Sequence, residues 1–407
     1  MEKFVVYAKE LYDGKGLQKD VYITIEEDKI ISVDNIKKEY DSTGIVTPAI
    51  IDAHSHIGMA RDGEPGQEAE LNDYIDQIMP QSDPLNSIYF DDHAFQDAVD
   101  FGVLYSCVVP GSGNLIGGRA RIIRNFADNV GQALLKDYGF KMALGYNPRS
   151  TTDWKGIRNN TRMGAYALLE QKLDEVLIKV DKKNIARIRK IKELERKLAK
   201  KEIESKDFEE DKKLAEDEFE LEFSPNEIGL LELLSGDSVA KVHVHKEDDV
   251  IYLIHLKEKY GIKVTADHTM DVWHQEIYEK LAEAKIPVVF GPIGSLSYKV
   301  ELKHAFYQNT KLIMDSGVQF GLMTDHPVIH SYALRDSLKF FLIQGMSKPD
   351  AIGLITYQNA RILGIDDILG TIEPGKLASL VVWDKDPLDL SAFPKIVMAE
   401  GILLRDN

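Results

Sequence analysis

The sequence holds a single cysteine, Cys107, among 407 residues. One thiol excludes an intrachain disulfide framework and a cysteine-built zinc site, and it fits a reducing compartment, read here as the cytoplasm. No apolar run reaches the ~18–20 residues of a membrane span. The opening residues, MEKFVVYAKELYDG, lack the basic-then-apolar order of a secretory signal. A basic excess is missing too. The chain has 67 Asp and Glu against 50 Lys and Arg, a net charge of −17. That balance argues against nucleic acid or an anionic membrane as partner and leaves a small molecule.

Glycine and proline are absent from residues 165–224, where Lys and Glu dominate. Ile185, Ile188, Ile191, Leu194 and Leu198 recur there at spacings of three and four, an apolar helical stripe. Glu193 and Lys197 stand in the favourable i,i+4 order. The segment reads as an inserted, charged helical hairpin or short coiled coil. Its stripe calls for a cover, which a homo-oligomer would supply.

What is present around that insertion is strand. Residues 1–47 and 366–407 alternate polar and apolar residues between turns, and they read as one small β-sandwich formed by both termini. Residues 48–365 read as a separate α/β unit. Its strand-like pieces, AIIDAHSH, VLYSCVVP, KMALGYNP, AKVHVHK, IKVTADHT, IPVVFGP and VQFGLMTDHP, are continuously apolar, as strands covered on both faces are. Several end in His56, Asn147, His245, His268 or Asp325. Active sites of (β/α)₈ barrels sit at the C-terminal ends of the strands, so the expectation is a TIM-like barrel. Without insertion and termini, about 260 residues remain, near the ~250 of such a barrel. Seven strands are visible, and the eighth is expected between residues 150 and 240.

His54 and His56 lie two apart on one strand and therefore share a face, as do His243 and His245. His54, His56, His243 and Asp325 form a set that a borderline metal such as Zn²⁺ accepts, one position being left for water. There is no HExxH and no GxSxG. The stretch GSGNLIGG at 111–118 misses the dinucleotide spacing by one residue, so its loop, with Asn114, is read as a substrate contact. Arg119 and Arg162 follow strands and are candidate clamps for a substrate carboxylate.

Together PAIIDAHSH, VHVH, TADH and MTDHP, followed by NARILGI and GTIEPGKLASLVVWDKDP, resemble the amidohydrolase superfamily of metal-dependent hydrolases, in particular its imidazolonepropionase-related branch. The resemblance implies a distorted barrel with a β-sandwich, and metal ligation by His54, His56, His243, His268 and Asp325. It implies catalytic roles for Asp325, His268 and His245, with a metal-bound hydroxide attacking and Asp325 moving the proton. Many members bridge two metals with a carboxylated lysine on the fourth strand. Here Lys141 is read at the start of its strand, which favours one firmly held metal, zinc, over two. The implied reaction is hydrolysis of a cyclic or linear amide. Deamination of an amino-heterocycle, a dipeptidase and an inactive scaffold using the insertion are the alternatives.

Overall fold

At the amino end, alternating residues fold into β1 (Phe4–Tyr12), β2 (Leu17–Glu26), β3 (Lys29–Asp34) and β4 (Ser42–Pro48). These belong to a computed structural model that describes residues 3–149, 158–221, 223–297 and 299–406. β1 pairs antiparallel with β2 and parallel with β4. The second sheet begins at once, with β5 (Ile50–Ser55), and continues through β6 (Val103–Val108), β7 (Ile116–Arg124), β8 (Leu134–Ala143) and β9 (Val239–Lys246). β10 (Lys263–Asp271), β11 (Val288–Phe290) and β12 (Phe320–Leu322) follow in spatial as well as chain order. β5 and β6 are buried throughout, which explains their continuous apolar runs.

The eighth strand lies elsewhere than expected. The described residues ahead of β9 form helices, Arg162–Ala199, Ser205–Leu221 and Pro225–Ser235. The strand is β7, antiparallel to both β6 and β8. Ile116, Gly118, Ala120 and Ile122 are buried while Gly117, Arg119 and Arg121 are half-buried. This is the two-residue alternation of an antiparallel ribbon, unlike the solid apolar runs of its neighbours.

Asn359 carries the closure from β12 back to β5. Its amide donates to the carbonyls of Ile51 (2.6 Å) and Leu322 (2.8 Å), and its Oδ1 accepts from the Leu322 N–H at 3.0 Å. Beyond the strand ends, the Asp325 N–H donates to the His54 carbonyl (3.1 Å) and the His56 N–H to the His326 carbonyl (3.0 Å). The result is a nearly closed barrel. The chain then returns to the first sheet with β13 (Leu380–Trp383), β14 (Pro394–Ala399) and β15 (Ile402–Asp406), in the order β15-β14-β13-β4-β1-β2-β3. Ser379, just ahead of β13, shares a hydrogen bond of 2.7 Å with Tyr105 of β6 and so links the two sheets.

The first helix of the insertion docks by Ala165, Leu169, Leu173 and Val176, all buried. Farther out it pairs with the second, through Lys190–Glu218 (2.8 Å) and Arg187 over the Phe219 ring. Leu194 of the apolar stripe is buried, whereas Ile185 and Ile188 stay about half exposed. Among the described residues no helix is long and apolar enough to cross a membrane.

Candidate metal centre

The parallel register of β8, β9 and β10 sets Lys141 beside Lys241 and Thr265, and, two residues on, Ala143 beside His243 and Asp267. Residues two apart share a face, so both levels project into the barrel. His54 enters from β5, and His56 and Asp325 stand just past the ends of β5 and β12. His268 (φ 79°) and Asp325 (φ 53°) both hold left-handed backbone. Such conformations are costly for residues other than glycine and concentrate at functional sites.

Two triads result, each with ligand atoms within 4.8 Å of one another: His54, His56 and Asp325, and His243, His245 and His268. Hydrogen bonds fix three imidazoles in one tautomer. His54 Nδ1 donates to Asp267 Oδ2 (2.6 Å), His56 Nδ1 to the Val109 carbonyl (2.7 Å) and His268 Nδ1 to the Gly291 carbonyl (3.0 Å). A carbonyl or carboxylate can only accept, so each ring carries a proton on Nδ1, and the neutral rings of His54 and His268 present a lone pair at Nε2. His56 Nε2 faces Asp325 Oδ1 at 3.1 Å. A metal ion or the proton of an imidazolium satisfies that pair. His243 Nε2, His245 Nδ1 and His268 Nε2 are buried without a hydrogen-bond partner. This donor set fits divalent metal.

Burial, then the neighbouring Lys141, pushes the His54 pKa down to about 3. Burial also sends His243, His245 and His268 well below the ordinary imidazole value. All four rings are neutral at pH 7, as ligands must be.

Lys141 does not begin its strand. It lies two residues before the end of β8, fully buried, with Nζ 2.8 Å from His54 Nε2. Burial lowers its pKa to about 8. A lysine inside an apolar run reads as a strand boundary, and only the pairing partners show that it points inward. Lys241 and Asp267 escape sequence reading for the same reason. Lys241 Nζ lies 2.9 Å from Asp267 Oδ2, with both side chains at zero exposure. Burial opposes the charge of Asp267, but the Lys241 ammonium, and after it the His54 hydrogen bond, hold the carboxyl below the usual range. Lys241→Met would strand that charge. It is expected to cost about 3 kcal/mol, read as a lower urea midpoint at constant m-value, with part regained in the double variant carrying Asp267→Asn. An unchanged midpoint would remove the pair from this account.

The other expected contacts do not reach the triads. Arg119 forks onto Glu232 and lies over the Phe140 ring. Arg162 Nη1 sits 3.0 Å from Asp249 Oδ1. The Asn114 amide donates to the carbonyls of Asp73 and Asp76. Arg119 thus ties β7 to the helix Pro225–Ser235, Arg162 ties one helix to another, and Asn114 holds the loop at Asp73 and Asp76.

Comparison with known proteins adds a lineage. The model of the amidohydrolase family matches residues 212–401. Amidohydrolase tasK of Hapsidospora irregularis is 24% identical over 394 residues, which is 90% of this chain but 37% of that protein. Guanine deaminase of Escherichia coli (strain K12) is 31% identical over 112 residues, 26% of this chain and 25% of that one. The chain thus spans well under two thirds of these curated relatives. Among solved structures, an amidohydrolase from Thermotoga maritima MSB8 matches with a TM-score of 0.85 and 26% identity, covering 99% of this chain and all of that one.

Proposed function

Since this chain belongs to the amidohydrolase superfamily of hydrolases, we propose that it hydrolyses the C–N bond of an amide, cyclic or linear, in a small molecule. The observation that carries this reading is the pair of triads on one barrel rim, with the rings of His54, His56 and His268 held by hydrogen bonds at Nδ1. His54, His56 and Asp325 would hold one divalent ion, and His243 and His268 a second. Nitrogen and oxygen donors of this kind suit zinc. Lys141 acts electrostatically on imidazoles of both triads and on Asp325. Its amine, with a pKa near 8, is partly neutral at pH 7. It would take up CO₂ as a carbamate and become the bridge that the sequence reading did not find. When bound, the metal supplies Lewis-acid polarisation of a carbonyl and lowers the pKa of water toward ~7.

The chain's own groups do the rest. Asp325 Oδ1 stands among the Nε2 atoms of His54 (3.5 Å) and His56 (3.1 Å), placed to accept the proton of the attacking water. The same carboxyl then delivers it to the leaving nitrogen, as general base and then general acid. His245 lines a cavity together with Asp325, and there it would hydrogen-bond the carbonyl oxygen as negative charge develops.

The guanine deaminase similarity supports deamination of an amino-heterocycle as the second reading. The test is the purified metal-loaded protein against N-acyl amino acids, cyclic amides, dipeptides and aminopyrimidines, scoring released amine and ammonia separately. Turnover of an N-acyl or cyclic amide is expected. Ammonia from an aminopyrimidine alone would replace the amide reading with deamination, and cleavage of dipeptides alone with a peptidase.

A further inference from the structure

We infer that the substrate carries a carboxylate, seated by the Lys299 ammonium, and an apolar group beside it; this rests on the reading of the two triads as the hydrolytic centre. The cavity that opens on His245 and Asp325 encloses about 260 Å³, the size of a small metabolite. Its walls are largely apolar, with Met270, Ile293, Leu302, Val328 and Phe340 among them. Lys299 is the one lysine or arginine among the described residues that line it, and Asp325, already placed in the centre, is the one carboxylate.

An ammonium in such a wall favours an anion for two physical reasons. Apolar surroundings strengthen its field relative to water, and an ionised donor and acceptor make a hydrogen bond stronger than a neutral pair does. The Lys299 side chain is only 15% exposed, and Glu301 Oε1, 3.8 Å from its Nζ, holds it from inside the wall. Arg119 and Arg162, the two cations that sequence alone nominates for this task, pair with Glu232 and Asp249 and do not line the cavity. An acid with an aliphatic or aromatic substituent satisfies the wall and the ammonium together, whereas a cationic substrate would face Lys299 with like charge.

The test uses the metal-loaded protein and matched pairs, an N-acyl amino acid with an apolar side chain and the same compound with its carboxylate converted to a carboxamide. The wild type is expected to prefer the acid. Lys299→Met is expected to lower kcat/KM on the acid by about 30-fold, mostly through KM, as the loss of one charge-assisted contact does. It should leave the carboxamide within about threefold and the metal content unchanged, and Lys299→Arg should recover part of the preference. No preference in the wild type, or equal losses on acid and carboxamide in the variant, would overturn the assignment. If the wild type hydrolyses neither compound, hydrolysis of N-acyl amino acids fails separately, and the cyclic amides of the wider panel decide the hydrolase reading. Calorimetric binding of the acid to wild type and variant then decides the subsite, since binding lost only in Lys299→Met sustains it and equal or absent binding refutes it. Should Lys299→Met not fold, Lys299→Gln answers the same comparisons.

Discussion

Dialysis against a strong chelator is expected to abolish hydrolysis completely and to make the protein easier to unfold, and added Zn²⁺ to restore both. The reason lies in what the side chains face once the ion is gone. His56 Nε2 and Asp325 Oδ1 stand 3.1 Å apart, and the His243 and His268 Nε2 atoms are buried with no hydrogen-bond partner. Buried acceptors without a donor are a cost to the folded state. An ion that binds the folded but not the unfolded chain relieves it. At a free concentration a thousandfold above its dissociation constant, the gain is about 4 kcal/mol. The measurements are metal content by mass spectrometry, urea unfolding with and without metal, and turnover during titration with Zn²⁺. Full turnover at a small fraction of one metal per chain would refute a metal-dependent site.

Asp325→Asn is expected to leave fold and metal content intact while lowering kcat by about 10³-fold, within the range of general acid–base catalysis. The amide is nearly isosteric and keeps an oxygen toward the ion, but it can neither take the proton of water nor return one to the leaving nitrogen. Burial opposes the charge on Asp325, while the contact with His56, then the field of His54 and Lys141, holds the carboxyl below its ordinary range. The wild-type group is therefore ionised and ready at neutral pH. KM should change little, because the lost interaction belongs to the transition state. Undiminished kcat in a variant with normal metal content would take the proton-carrying role away from Asp325.

The barrel and half of its rim were legible because burial on both faces writes itself into a sequence. Apart from Asp52 and Lys241, AIIDAHSH and AKVHVHK are apolar up to their histidines, and in the structure both runs are buried strands ending at one rim. Periodicity fails where the environment comes from distant partners. Lys141 and Lys241 interrupt apolar runs and look like boundaries, yet both are fully buried beside His54 and Asp267, which lie far away in the chain. Arg119 and Arg162 look available until Glu232 and Asp249 come into contact with them. β7 was hidden by the glycine-rich approach that precedes it, although the alternation of Ile116, Ala120 and Ile122 was there to be read.

The reversal of β7 also decides where this molecule can be altered without harm. Its first residue, Ile116, pairs near the rim with Met142, and its last, Arg124, leads into a turn at the opposite end. A nine-residue strand spans about 30 Å, so residues 125–133 lie a full barrel height from the histidines. Asp128, Asn129, Val130 and Gly131 are exposed there. A fluorophore or affinity handle grafted at that turn would report on the protein from its far pole, leaving the rim with its histidines untouched.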